Sequence, residues 1–261
     1  MMKIAVNLVI AILFCSNIFG QDDLTAKQIS EKAKNMAEVD ALEMISTLKI
    51  IDSKGRERIR QTSSVTKKYG EINKTLFKFL SPADVEGTGM LIFDYDDKND
   101  DMWIYMPALR KTRRIVSSEK GKSFMGSEFT NADMTAPNTN DYNYKLLGSE
   151  EVHGVMCWKI ENTPINEDIA DENNISKKIA YIGESNFLSY KIEIYNLDEE
   201  LEKVMDISEY EMIDTINKKY MAKKMEVKNL LNGRNSVMII DKFQLGTNLP
   251  ESTFTIATLE K

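Results

Sequence analysis

The sequence predicts a mainly β protein with a few helices, organised as one strongly curved antiparallel sheet. About a dozen short segments alternate apolar and polar side chains with period two, the mark of strands with one dry and one wet face. The connectors between them are short and turn-like, several of them acidic or Asn-rich. Helical periodicity stands out only near the start of the chain. With five prolines and no Pro/Gly-rich linker in 261 residues, no boundary for a second domain is visible.

The elements follow in order. Lys3, an apolar run over residues 4–14 and the small Gly20 have the layout of a secretory signal peptide, with cleavage expected near Gly20. The run is shorter than the ~20 apolar residues a membrane span needs, and the bulky Phe14 before Cys15 argues against lipoprotein processing. Residues 21–261 are then one exported domain in which Cys157 is the remaining cysteine, so no internal disulfide is expected. Thr25 and Gln28 form a capping-box pattern at the head of a helix with Leu24, Ile29, Ala33, Met36 and Ala37 on one face.

From Ala41 the period changes to two. Met44, Leu48 and Ile50 are followed by the turn Ser53-Lys54-Gly55 and a polar strand-like run over 56–68. Phe77 and Phe79 oppose Lys78; Leu91, Phe93 and Tyr95 oppose Asp94; Met156, Trp158 and Ile160 oppose Lys159. Leu188, Tyr190, Ile192 and Ile194 oppose Ser189, Lys191 and Glu193, and Met221, Met225 and Val227 oppose Lys224 and Glu226. Asn232-Gly233 is a strong hairpin signal. One helix is too small to fill a closed barrel of this many strands. The sheet must fold into a sandwich or curl into an open barrel lidded by helices, and the second leaves an apolar cavity.

Composition narrows the function. A net charge of −7 disfavours nucleic acid as a partner, and a lone histidine rules out a multi-histidine metal site. The acidic stretch 94–101 lacks the Gly and Glu of a calcium loop. His153 and Cys157 stand four residues apart on one strand, roughly 13 Å, too far for proton transfer. No cofactor or catalytic constellation is expected.

The most distinctive stretch spans residues 82–134. It contains Trp103-Ile104-Tyr105-Met106-Pro107-Ala108-Leu109-Arg110-Lys111, then Arg113-Arg114-Ile115, then Phe124-Met125-Gly126-Ser127-Glu128-Phe129. This resembles the exported outer-membrane lipoprotein-sorting proteins of LolA-like type, and segments 142–147, 220–229 and 254–259 fit as well. The resemblance implies a half-open antiparallel barrel lidded by the N-terminal helix and short helices or loops. It further implies a periplasmic, non-enzymatic carrier of lipid or of lipoprotein acyl chains, with an inner-membrane exporter or an outer-membrane acceptor as partner and a monomeric state. A second reading keeps the fold but makes it an envelope interaction module, an exporter accessory subunit or a stress sensor.

For a carrier, alternation parity selects Phe77, Phe79, Leu91, Phe93, Met156, Trp158, Tyr190 and Ile192 as cargo-facing. Trp103 and Tyr105 share a strand face and suit either a cavity mouth or a core. Met102, Ile104 and Met106 make the opposite face apolar too, so that strand reads as covered on both sides with its inward face open. Arg110, Lys111, Arg113 and Arg114 are a contact for an anionic head group or acidic partner, or else a solvated strand end paired with nearby aspartates. Phe124, Met125, Gly126 and Phe129 read as a loop over the sheet, either a movable lid or a buried connector. Fifteen methionines suit a pocket for varied apolar ligands or a plain core.

Overall fold

The computed structural model describes residues 24–96 and 98–261; the expected signal peptide lies outside the described residues. Helix α1 (Ala26–Ala37) opens with the capping box, Thr25 Oγ1 accepting from the Gln28 amide at 3.2 Å and Gln28 Oε1 accepting from the Thr25 amide at 2.9 Å. The first half of the sheet follows as β1 (Ala41–Ile51), β2 (Glu57–Tyr69), β3 (Ile72–Ser81), β4 (Gly89–Tyr95), β5 (Asp101–Met106) and β6 (Lys111–Ile115). The second half is β7 (Tyr142–Val152), β8 (Val155–Pro164), helix α2 (Glu167–Asn173), β9 (Lys177–Gly183), β10 (Ser189–Tyr195), β11 (Leu201–Asp214), β12 (Lys219–Asn229) and β13 (Asn235–Leu245), followed by the short α3 (Ile256–Leu259).

All 13 strands form one sheet in the order β6-β5-β4-β3-β2-β1-β13-β12-β11-β10-β9-β8-β7. Each neighbour pair is antiparallel, β1 and β13 included. The first and last strands therefore meet in the middle of the sheet, while its two edges, β6 and β7, come from the middle of the chain. These edges do not pair, so the barrel stays open. The segment 116–141, here called the strap, joins one edge to the other.

The strap and α1 cover one face, the inner one. Its cross-strand row runs through Val227, Met205, Ile192, Ala180 and Ile160 in consecutive register. Further along, Phe77, Phe79, Met90, Ile92, Met102 and Ile104 pack with Phe124 and Phe129 of the strap. The strap also leans on α2, where the Gly121 amide donates to Glu172 O at 2.8 Å. A Cβ on Gly121 would stand 2.6 Å from the Asn173 carbonyl group, so only glycine permits this approach.

The outer face of β2–β6 is dry as well, because the tail 246–261 lies across it. Phe254 and Leu259 pack on Leu76 and Leu91, flanked by Phe93, Trp103 and Tyr105. Lys67 Nζ and Tyr69 Oη both donate to Leu249 O, at 3.0 and 2.6 Å. On the outer face of β8–β10, by contrast, charged side chains do the covering. Lys191 and Lys159 lie 4.5 and 5.3 Å from the centre of the Tyr181 ring, and Tyr181 is only 1% exposed. Among the described residues no helix is long and apolar enough to cross a membrane.

Candidate functional site: a cavity under helix α1 and the strap

Between the inner face, α1 and the strap lies a cavity of about 450 Å³. That size falls in the range that holds a small ligand. Its floor is apolar: Ile192, Met205, Ile207, Ala222, Met225 and Met238, from the four adjacent strands β10 to β13. Ala33, Met36 and Ala37 of α1 and Phe129 and Met134 of the strap close it from above. Polar groups gather at its rim and one end, among them Lys34, Lys120, Asp100, Asp141, Asn162 and Lys178.

Two fastenings hold the cover. At the rim, Lys34 of α1 pairs with Asp96 at 2.8 Å, Lys120 of the strap pairs with Asp100 at 3.3 Å, and the Ala136 amide donates to Asp94 Oδ2 at 3.0 Å. Burial pushes the Asp94 carboxyl up to about 6, a rise opposed by the Ala136 hydrogen bond and assisted by the charge of Asp100. At the far end, the strap's Glu128 is 5% exposed. Its carboxylate forms an ion pair with Arg234 Nε at 3.1 Å and accepts from Asn229 Nδ2 at 3.0 Å, and its amide donates to Ser236 Oγ at 2.9 Å. Arg234 and Arg60 also donate to the carbonyls of Gly126 and Met125. Burial lowers the pKa of Arg60. It raises those of Tyr144 and Tyr210 in the cavity wall, where the Tyr210 hydroxyl donates to Ser189 O.

The residues selected by alternation are dispersed by the fold. Ile192 lines the cavity. Phe77 and Phe79 face inward but are consumed in packing, their rings 5.2 and 5.9 Å from Phe124. Trp158 lies under α1 against Phe187, beside the cavity wall. The expected cavity position of Leu91 and Phe93 is corrected: they face outward beneath the tail, as do Trp103 and Tyr105, whose open choice between cavity mouth and core falls to packing under the tail, while Met90, Ile92, Met102 and Ile104 face in. The reason is that both faces of this half are dry, so alternation alone does not choose the inner one. Met156 is corrected too, being 50% exposed beside the β7 edge. Tyr190 sits at a register break between Ser189 and Lys191; it packs on the cluster that holds Tyr181 and meets Tyr210 of the cavity wall edge-on at 5.7 Å without lining the cavity itself.

The basic cluster does not line the cavity. Arg113 pairs with Glu119 at 2.7 Å and Arg114 with Asp101 across β5–β6. Arg110 holds a left-handed turn at φ 47°, and Lys111 is exposed. Charges of this kind on an edge strand discourage pairing with another chain. Of the loop residues, Phe124 and Phe129 are buried, Met125 and Gly126 take positive φ, and Phe129 reaches the cavity. Cys157 is fully buried, its thiol pushed up by burial, while His153 is exposed with Nε2 3.3 Å from Asp206. Among the residues that sequence reasoning missed, Met205 and Ile207 carry a readable signal, since β11 alternates. Asn162 and Lys178 carry none, since a polar residue on an inner position looks like one on an outer position.

No curated protein matches the chain. Among solved structures, a domain described as outer membrane lipoprotein-sorting from Vibrio parahaemolyticus superposes with a TM-score of 0.83 at 23% identity, covering 90% of this chain and 98% of that one. A DUF1329 family protein from Desulfovibrio piger gives 0.83 at 25% identity, covering 90% and 97%. A LolA superfamily protein from Nitrosomonas europaea gives 0.70 at 23% identity, covering 90% and 99%. A model of a family of uncharacterized proteins matches residues 71–261, from β3 to the end of the tail. The chain therefore belongs to that family, and its fold is the half-open barrel of the LolA superfamily and of outer membrane lipoprotein-sorting proteins.

Proposed function

We propose that this protein is a non-enzymatic periplasmic carrier. In this reading it holds the acyl chain of a lipid or of a lipoprotein in the cavity under α1 and the strap, for transfer towards the outer membrane. The observation that carries the reading is the cavity itself: about 450 Å³ with a floor of methionine, isoleucine and alanine inside a barrel left open. Burial of acyl CH₂ groups at about 0.8 kcal/mol each supplies the binding energy, and methionines adapt to chains of different shape. The shared fold supports the carrier role, and the layout of residues 1–20 supports export. The donor and acceptor would be an inner-membrane exporter and an outer-membrane protein, with the carrier itself a monomer.

Protein purified from its own host and sprayed under native conditions is expected to carry lipid-sized adducts. The delipidated chain is expected to take up a neutral lipophilic dye with a rise in fluorescence. Replacing Ala222 by Trp fills the floor and should weaken dye binding at least about tenfold, the loss of roughly two buried CH₂ contacts. Protein that is ligand-free from its host and silent towards the dye would overturn the reading.

A further inference from the structure

Four lysines wall the cavity, and three of them are engaged. Lys34 pairs with Asp96 at 2.8 Å, Lys120 pairs with Asp100 at 3.3 Å, and Lys98 Nζ lies 3.8 Å from the centre of the Tyr95 ring. Lys178 has no ion pair, hydrogen bond or ring contact among the described residues. Its neighbour Lys177 faces outward and meets Glu161 at 3.8 Å, which is the ordinary fate of a strand lysine. Lys178 faces the other way, in line with Ala180 and Ile182 on the inner face, and is half-buried.

The carboxylates that line the same cavity walls make other contacts and form no ion pair with Lys178. Asp133 accepts from the Thr130 amide at 2.7 Å, Asp141 from Asn138 Nδ2 at 3.2 Å, and Glu202 from Asn229 Nδ2 at 3.1 Å. Directly across β8–β9 from Lys178 stands Asn162, also in the cavity wall, whose Oδ1 is buried without a hydrogen-bond partner. An orphaned buried acceptor costs about 1–3 kcal/mol and calls for an explanation. The cavity is thus amphipathic, with an apolar floor that continues into a pair of unsatisfied polar groups, one of them cationic.

We propose that the cargo is an anionic amphiphile, a fatty carboxylate or a lipid phosphate, whose head group is held by Lys178 with Asn162 beside it. This rests on the carrier reading and adds a selectivity that an apolar cavity alone would not have. The ammonium supplies a charge-assisted hydrogen bond inside a partly dry site. The Asn162 carboxamide serves the same head group through its Nδ2 end, which donates to an anionic oxygen once the side chain is turned, while its oxygen can only accept. The acyl chain would then run along Ile192, Met205 and Met225.

Displacement of a bound neutral lipophilic dye separates this inference from the reading beneath it. Palmitate and lysophosphatidylglycerol should compete at concentrations about tenfold lower than uncharged monopalmitoylglycerol, the effect of one charged contact. Lys178→Met should abolish that preference, so that charged and uncharged lipids compete equally for the dye it binds, and Lys178→Arg should keep part of it. Preference for palmitate alone would make the head group a carboxylate, and preference for both would make it any anion. Equal competition by charged and uncharged lipids, or a preference that survives Lys178→Met, would overturn the inference and leave the carrier reading standing. Failure of the wild-type chain to take up dye would overturn both.

Discussion

Asp94 fastens the strap to β4 at an electrostatic cost. Its carboxyl is held at about 6 by burial, against an ordinary value of 3.8. Between those values the folded protein keeps a proton that the unfolded chain has lost, so this group's contribution to stability falls as pH rises through the window and stays low above it. Asn at this position still accepts from the Ala136 amide and carries no charge. Asp94→Asn is therefore expected to be the more stable protein at pH 7.5, by up to about 3 kcal/mol, with the advantage vanishing below pH 4. Denaturant midpoints of both proteins from pH 4 to 8 would check this, and parallel curves would refute it. Arg234 poses the opposite case. Removing it as Arg234→Ala leaves the buried Glu128 carboxylate without its cation, at a cost of about 3 kcal/mol. Hydrogen exchange should quicken first in residues 124–129, ahead of the sheet; protection that is unchanged there would mean the strap is held by its phenylalanines alone. Single positions were unevenly legible in the sequence. Thr25 and Gln28 announced the helix cap because capping is local chemistry. Lys178 announced nothing, because its meaning lies in what β8 and the strap fail to offer it.

The strands were legible wherever one face is wet. Alternation reads through to the observed faces in the second half of β1, where Ser46, Leu48 and Ile50 are buried, and at the end of β12, where Val227 is; in β8 it holds for Trp158 and Ile160 but not for Met156. It lost its meaning in β4, where Gly89, Met90, Leu91 and Ile92 are all buried because the strap covers one side and the tail the other. Nothing in the local pattern of β4 or β5 reports a cover that arrives some 150 residues later in the chain. The same tail makes a separate claim testable. Phe254 is 2% exposed and meets Tyr69 edge-on at 5.8 Å, so Phe254→Ala should cost about 3–5 kcal/mol. Because the tail and the cavity lie on opposite faces, dye uptake by the folded variant should be unaltered. A variant that keeps its melting temperature but loses uptake would show that the two faces are coupled.

Taken whole, the molecule is a sheet whose interior is defined by what lies across it rather than by closure. The half-open form was legible as one of two ways to cover a large one-sided sheet. The placement of the cavity was not, because it depends on where the strap's Phe124 fills the inner face and where Phe129 leaves it unfilled. The strap's exposed Lys122 offers a site for controlled cleavage by trypsin. Cut there, the protein is expected to remain one particle by size exclusion and to separate into two fragments only in denaturant. Dissociation under native conditions would argue that the strap, and not the sheet, holds the halves together.

The adjacency of β1 and β13 explains that expectation and reaches further. Their ladder, from Leu42 opposite Leu245 to Ile51 opposite Asn235, joins the first and last strands of the chain. Topologically the polypeptide is a ring sealed by hydrogen bonds at one point and by the strap's peptide bonds at another. A circular permutant that begins after Lys122 and fuses the old ends would exchange the two seals. Its folding would no longer wait for the most distant pairing in the sequence, and it should refold faster than the natural chain while keeping the same sheet.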